Sequence, residues 1–114
     1  MIEHPKRGEI YWVHLPLKLK DVKNRPALVV SLDIRNKLAS DVIVIPLSTN
    51  LRPSPTHVLL QEGEGGLSKT SMAKCEQITT IDRLLLIQGP FAGKIREEKM
   101  KEIERAIMIA IGVI

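Results

Sequence analysis

The chain reads as a mainly β protein with one C-terminal α-helix, folded as a small barrel or sandwich. Three observations predict this. Short apolar runs recur at close spacing through the first three quarters of the chain. Turn-forming stretches separate them at 33–40, at 50–55 with two prolines, and at 62–66 with three glycines. After residue 96 the apolar period changes to that of a helix.

The first strand is predicted over 10–15, after Gly8. Residues 27–32 form an almost unbroken apolar run, as a strand buried on both faces requires. Pro26 lacks a backbone donor and belongs at a strand start or edge. It also holds Arg25 in extended geometry, so Arg25 is expected to open the second strand. Further strands are predicted at 42–47, at 57–60, at 71–78 with partial alternation, and at 84–88. In the final segment Met100, Ile103, Ile107 and Ile111 share a helical face, and Glu97 and Glu98 suit the positive end of the helix dipole. Beyond Ala106 the helix is apolar almost all round. A second surface, from the barrel or another subunit, is therefore expected to cover its end.

The 114 residues fit one domain spanning 1–114. Tyr11, Trp12 and Phe91 are the only aromatic residues, which disfavours an RNA binder that stacks successive bases on exposed rings. Of the formal +4 charge, all resides in residues 1–37, with eight basic against four acidic groups; the rest balances at nine and nine. Such asymmetry favours a polyanionic partner. Cys75 is the single cysteine, so neither an internal disulfide nor a cysteine-based zinc site is expected. The nine apolar residues of the tail are too few to cross a bilayer, and no signal-peptide pattern opens the chain. A soluble, cytoplasmic protein without a membrane partner is expected.

No phosphate-binding loop, dinucleotide fingerprint or nucleophile elbow is present. The acidic stretch Gly63, Glu64, Gly65, Gly66 reads as a turn. His4, His14 and His57 lack ligand spacing, so neither a metal nor a cofactor is expected. A small polar set remains: Arg25, Ser48 and Thr49 after the third apolar run, and Lys74, Glu76 and Gln77. Cleaving RNA without a metal needs a proton acceptor for the 2′-hydroxyl, a donor for the 5′-oxygen and stabilisation of phosphate charge. An arginine, a hydroxyl and a carboxylate can fill those roles. Serine at a strand end is also an ordinary turn residue, and an arginine is more often simply solvated. His57 reads as structural and Cys75 as a buried filler.

The order of short motifs adds to this. They are Arg7-Gly8-Glu9-Ile10-Tyr11-Trp12-Val13, Arg25-Pro26-Ala27-Leu28-Val29-Val30-Ser31, Val42-Ile43-Val44-Ile45-Pro46-Leu47-Ser48, Pro55-Thr56-His57-Val58, Gly66-Leu67-Ser68-Lys69 and Glu76-Gln77-Ile78. In that order and spacing they resemble the MazF/PemK family of toxin endoribonucleases from type II toxin–antitoxin modules, nearly end to end. The resemblance implies an SH3-like barrel of the MazF/PemK/CcdB type with a C-terminal helix, and a homodimer. It implies metal-independent, sequence-selective cleavage of single-stranded RNA, mostly mRNA, to 2′,3′-cyclic phosphate and 5′-hydroxyl ends. Arg25 then matches the catalytic arginine and Ser48 the catalytic hydroxyl. Lys74 and Glu76 match an Arg and an Asp that some members use as acid and base, and Gln77 matches an RNA-contacting glutamine. Lys20 and Lys23, in the basic loop before Arg25, join Thr49, Lys74 and Gln77 as expected RNA-binding residues. A cognate antitoxin is the implied protein partner.

The chain also departs from the family. Its loop at 17–23 is basic where a polar Gly-Ser-Glu stretch is common, so a cleavage motif does not transfer. Arg96 stands where a helix-capping serine often occurs, which would loosen the helix start. Two other readings stay open: a toxin of this fold that acts by protein binding, as gyrase poisons do, and a degenerate member that binds RNA or antitoxin without cutting. The tail lacks the tryptophan that gyrase poisons use.

Overall fold

β1 (Ile10–Lys18) and β2 (Asp21–Val29) form the long antiparallel hairpin on which the rest of the sheet is built. The computed structural model describes residues 4–18 and 21–114, with the side chains of 16–18 and 21–23 outside that description. β3 (Asp41–Ser48), β4 (His57–Leu60), β5 (Ser71–Lys74), β6 (Thr79–Asp82) and β7 (Leu86–Gln88) complete a seven-stranded sheet. Its order is β4-β5-β3-β2-β1-β7, with β6 also paired to β3.

β3 organises the bend of this sheet. One edge pairs with β2, while the other pairs first with β6, over Asp41 to Val44, and then with β5, at Leu47 and Ser48. The strands β1, β2, β3 and β6 curl into a ring, which the short 3-10 turn Arg83–Leu85 closes by delivering β7 to β1. Val13, Leu15, Ala27, Val29, Val42, Val44 and Ile81 fill the ring. A second core lies on the opposite face, where Ile10, Leu28, Ile45, Leu47 and Leu60 meet Met100, Ile103 and Ala106 of the C-terminal helix. Because β2 and β3 serve both cores, their inner residues are apolar on both faces, which explains the unbroken runs in the sequence.

The expected elements are present, with corrections. The apolar run at 27–32 is strand only to Val29, and the strand expected over 84–88 is β7 at Leu86–Gln88, preceded by the 3-10 turn Arg83–Leu85. β1 and β2 extend through the stretch read as a loop, up to Lys18 and from Asp21. The stretch read as a turn at 33–40 contains a short helix, α1 (Asp33–Leu38). The Asp33 carboxylate accepts from the Arg7 amide at 2.7 Å, and buried Asn36 donates to the Ser31 carbonyl at 3.0 Å, so tertiary bonds support a helix too short to stand alone. The run at 71–78 is strand only to Lys74; a 3-10 turn over Cys75–Gln77 follows. β6 was missed, since Thr79 and Thr80 are exposed and only Ile81 points into the core.

The C-terminal helix, α2 (Glu97–Ala110), begins at Arg96, whose side chain makes no cap. The cap comes from elsewhere. Glu64, in the glycine-rich turn, accepts from the Arg96 amide at 2.7 Å and from Arg96 Nε at 2.9 Å. The loosened helix start expected from Arg96 is thereby corrected: a loop carboxylate satisfies the exposed amide. The turn can make this approach because Gly66 (φ 87°) lies against the Ala92 backbone, where a Cβ would stand 2.6 Å from the Ala92 nitrogen. At the other end Ile111, Val113 and Ile114 are exposed. Burial raises the Glu64 pKa, but the hydrogen bonds and charge of Arg96, with Lys99, outweigh it and hold the carboxyl below its ordinary value. The unfolded chain therefore binds more protons across this window, so the contribution is complete above the ordinary glutamate pKa and is lost as pH falls through the lower folded value. Glu64→Ala is expected to cost roughly 1 kcal/mol at neutral pH, as helix caps typically do. Urea titrations should show the gap between wild type and variant closing in acid.

Candidate functional site

Arg25 lies within β2, paired with Val13, rather than opening the strand. The reason is backbone direction. Val29 donates to Glu9 on the β1 side and Val30 donates to Ile43 on the β3 side. Alternation then turns the Pro26 nitrogen toward β3, whose pairing with β2 starts only at Ala27. The missing donor falls where no partner waits, so the strand continues through the proline.

The same alternation gathers the site. Ala27 and Val29 line the ring interior, and Arg25 is the next residue of that set toward the rim. On β3 the set Val42, Val44, Pro46 leads to Ser48. The Ala27–Pro46 pairing, extended by two residues, sets Ser48 across from Arg25. Ser48 pairs onward with Met72 of β5, and Lys74 pairs with His57 of β4. Arg25, Ser48, Lys74 and His57 thus share one face at the rim of the ring. Arg25 is half-buried, and its Nε is fully buried without a hydrogen-bond partner among the described residues. Leaving such a donor unpaired costs about 1–3 kcal/mol, which a fold does not carry without a reason.

Ser48 accepts from the Asn50 amide at 3.1 Å, an arrangement that fixes its oxygen and leaves its O–H to donate. Thr49 beside it is exposed, as is Gln77, and Lys74 is half-buried. Lys20 lies outside the described residues, as does the side chain of Lys23.

Glu76 is held by two donors. Thr56 Oγ1 donates to its Oε1 at 3.0 Å, and His57 Nε2 meets its Oε2 at 3.1 Å. Burial raises its pKa, but hydrogen bonds from His57, its own backbone and Thr56, with the His57 charge, prevail and lower it below the ordinary value. Glu76 is thus an anchored, ionised carboxylate whose lone-pair positions are not all taken. Cys75, next to it, is buried, and burial with the Glu76 charge pushes its thiol up to about 12, which leaves it inert as a nucleophile. Thr56 was missed in the sequence, and His57 was read there as merely structural. Neither could be joined to Glu76 without knowing the pairing of β4 with β5. Among the described residues no cluster of His, Cys, Asp and Glu could hold a metal ion, and no helix is long and apolar enough to cross a membrane.

Comparison with known proteins bears on the fold and the family. The endoribonuclease MazF of Staphylococcus saprophyticus is 30% identical over 112 residues, spanning 95% of this chain and 92% of its own. A solved endoribonuclease from a mycobacterial species superposes with a TM-score of 0.79 at 28% identity, over 98% of this chain and 95% of that one. A mycobacterial endoribonuclease in complex with its cognate antitoxin gives 0.78, also at 28%, over 96% and 97%. The model of the PemK-like, MazF-like toxins matches residues 6–111. Since that match covers nearly the whole chain, this chain belongs to the PemK-like, MazF-like toxins of type II toxin–antitoxin systems.

Proposed function

We propose that this toxin is a metal-independent endoribonuclease that cleaves single-stranded RNA on the rim face carrying Arg25 and Ser48. The buried, unpartnered Arg25 Nε carries the reading. A guanidinium in that setting is a standing donor for a phosphate oxygen, permanently charged and able to bind in bidentate fashion. In the reaction the 2′-oxygen bonds to phosphorus, the bond to the 5′-oxygen breaks, and a proton passes from the first oxygen's side to the second. Arg25 stabilises the charge that builds on the phosphate. Ser48 donates to a non-bridging oxygen. Glu76, ionised and oriented, keeps lone pairs for the 2′-hydroxyl proton. Lys74, Thr49 and Gln77, with Lys20 and Lys23 of the basic stretch before Arg25, bind the RNA strand.

The same reading supplies the partners. A cognate antitoxin with an acidic segment fits the basic N-terminal third, and a second copy of the chain covers the exposed apolar end of α2. The chain acts as one domain in the cytoplasm.

The test is incubation of the purified protein with a long single-stranded RNA in EDTA. Discrete fragments ending in 2′,3′-cyclic phosphate and 5′-hydroxyl groups are expected. Intact RNA from folded, antitoxin-free protein would overturn the assignment in favour of a toxin that only binds.

A further inference from the structure

We propose that His57 is a positioning residue: its imidazolium clamps the β3–β4 loop onto the β5–β6 turn, and so holds Glu76 and Gln77 in register with Ser48 and Thr49. This deepens the proposed ribonuclease reading and rests on it. Ser48 and Thr49 begin the loop that ends at Thr56. Glu76 and Gln77 lie in the turn after β5. Side-chain bonds through His57 join the two.

Both ring nitrogens of His57 face acceptors. Nδ1 stands 2.8 Å from the Arg52 carbonyl in the loop, and Nε2 stands 3.1 Å from Glu76 Oε2 in the turn. A carbonyl oxygen and an ionised carboxylate can only accept. A neutral imidazole has one N–H and would turn a lone pair toward one of them. The doubly protonated ring satisfies both. Its side chain is only 10% exposed, so water does not readily replace either partner.

Charged neighbours on this face fit the same arrangement. Lys74 of β5 pairs directly with His57, and like charges opposite one another repel. Glu76, 40% exposed on the turn, offsets both. Arg25 lies farther along the same face on β2, and Arg52 precedes His57 in its own loop. The backbone adds to the clamp, since the Cys75 amide donates to the Thr56 carbonyl at 3.0 Å and the His57 amide to the Ser54 carbonyl at 3.0 Å. These bonds survive loss of the side chain, so a variant at His57 is expected to loosen the loop without unfolding the protein.

Two measurements test the clamp. In the first, nitrogen NMR of the ring at about pH 6 reads its protonation without any RNA. Two protonated nitrogens on His57 are expected, with the amides of 49–56 protected from exchange and less protected in His57→Gln. A neutral His57 ring, or equal protection in the variant, would overturn the clamp. This outcome is independent of catalysis, so failure of the clamp is distinguishable from failure of the nuclease reading. In the second, steady-state cleavage by His57→Gln and Thr56→Val is compared with wild type. His57→Gln is expected to lose kcat/KM by roughly tenfold to a hundredfold, the usual consequence of misplacing a site by about an ångström. Thr56→Val, which keeps the histidine and both its bonds, should lose less. Wild-type kcat/KM in His57→Gln would overturn the proposal.

Discussion

Arg25→Ala is expected to slow RNA cleavage by about a hundredfold or more, corresponding to the loss of about 2.7–4 kcal/mol of charge stabilisation in the transition state. The fold should stay intact or gain. Arg25 Nε is a buried donor with no partner among the described residues, so truncation removes an unsatisfied group from the rim instead of breaking a bond. Loss of activity with an unchanged or raised melting temperature is the combined signature expected. Arg25→Lys should remain far below wild type, because an ammonium is a point charge and cannot reproduce the guanidinium fork. Single-turnover cleavage beside thermal unfolding checks both halves. Near-normal cleavage by the alanine variant would remove Arg25 from the mechanism, and a collapse in stability would make it a structural residue.

Ile103→Ala should produce the largest loss of stability, about 2–5 kcal/mol by the general cost of emptying a buried isoleucine site. Ile103 is fully buried at the centre of α2, between Met100 and Ala106, against Leu28, Ile45 and Leu60. α2 reaches the sheet through a narrow stripe, and its other anchors lie at its margin. Glu64 holds its first turn, and Arg7 joins Glu104 while its Nε donates to the Val30 carbonyl at 3.1 Å. These side-chain bonds orient the helix without replacing the lost apolar contact. Urea unfolding is the direct measurement. A change below about 1 kcal/mol would mean that the core relaxes around the vacancy or that α2 contributes little to the folded state.

The sequence showed the fold wherever apolar residues recur with a period. β3, β4 and α2 were legible for that reason, and Ser48 was correctly placed where β3 ends. It failed where long-range pairing decides. β6 carries two exposed threonines for one buried isoleucine and forms only because β3 offers an edge. α1 depends on the distant Arg7 amide donating to Asp33 and on Asn36 donating to the Ser31 carbonyl just before the helix. Pro26 marks a strand start by local rules, yet β2 runs through it because the missing donor points where β3 has not begun. Within the site, motif order pointed to Arg25, Ser48 and Glu76. What binds Glu76 was hidden, since Thr56 and His57 meet it only through the register that pairs His57 with Lys74. The Glu64 cap was hidden likewise, for no local rule joins a glycine-rich turn to a helix that starts 33 positions later.

The closure of the ring by the turn at Arg83–Leu85 has a consequence for synthesis. β1 and β7 pair through residues from distant parts of the chain, Trp12 with Gln88 and Val13 with Leu86. As the chain emerges from the ribosome, the β1–β2 hairpin can form early, but β1 keeps an open edge until β7 arrives. Arg25 then sits on an uncurled ribbon, exposed to water on the face that later becomes the rim. The barrel is completed late, by contacts of high sequence separation, which are the slow ones to form. Until then the nascent chain carries an unpaired strand edge, so the interval before β7 emerges is when it is most prone to pair with the wrong strand.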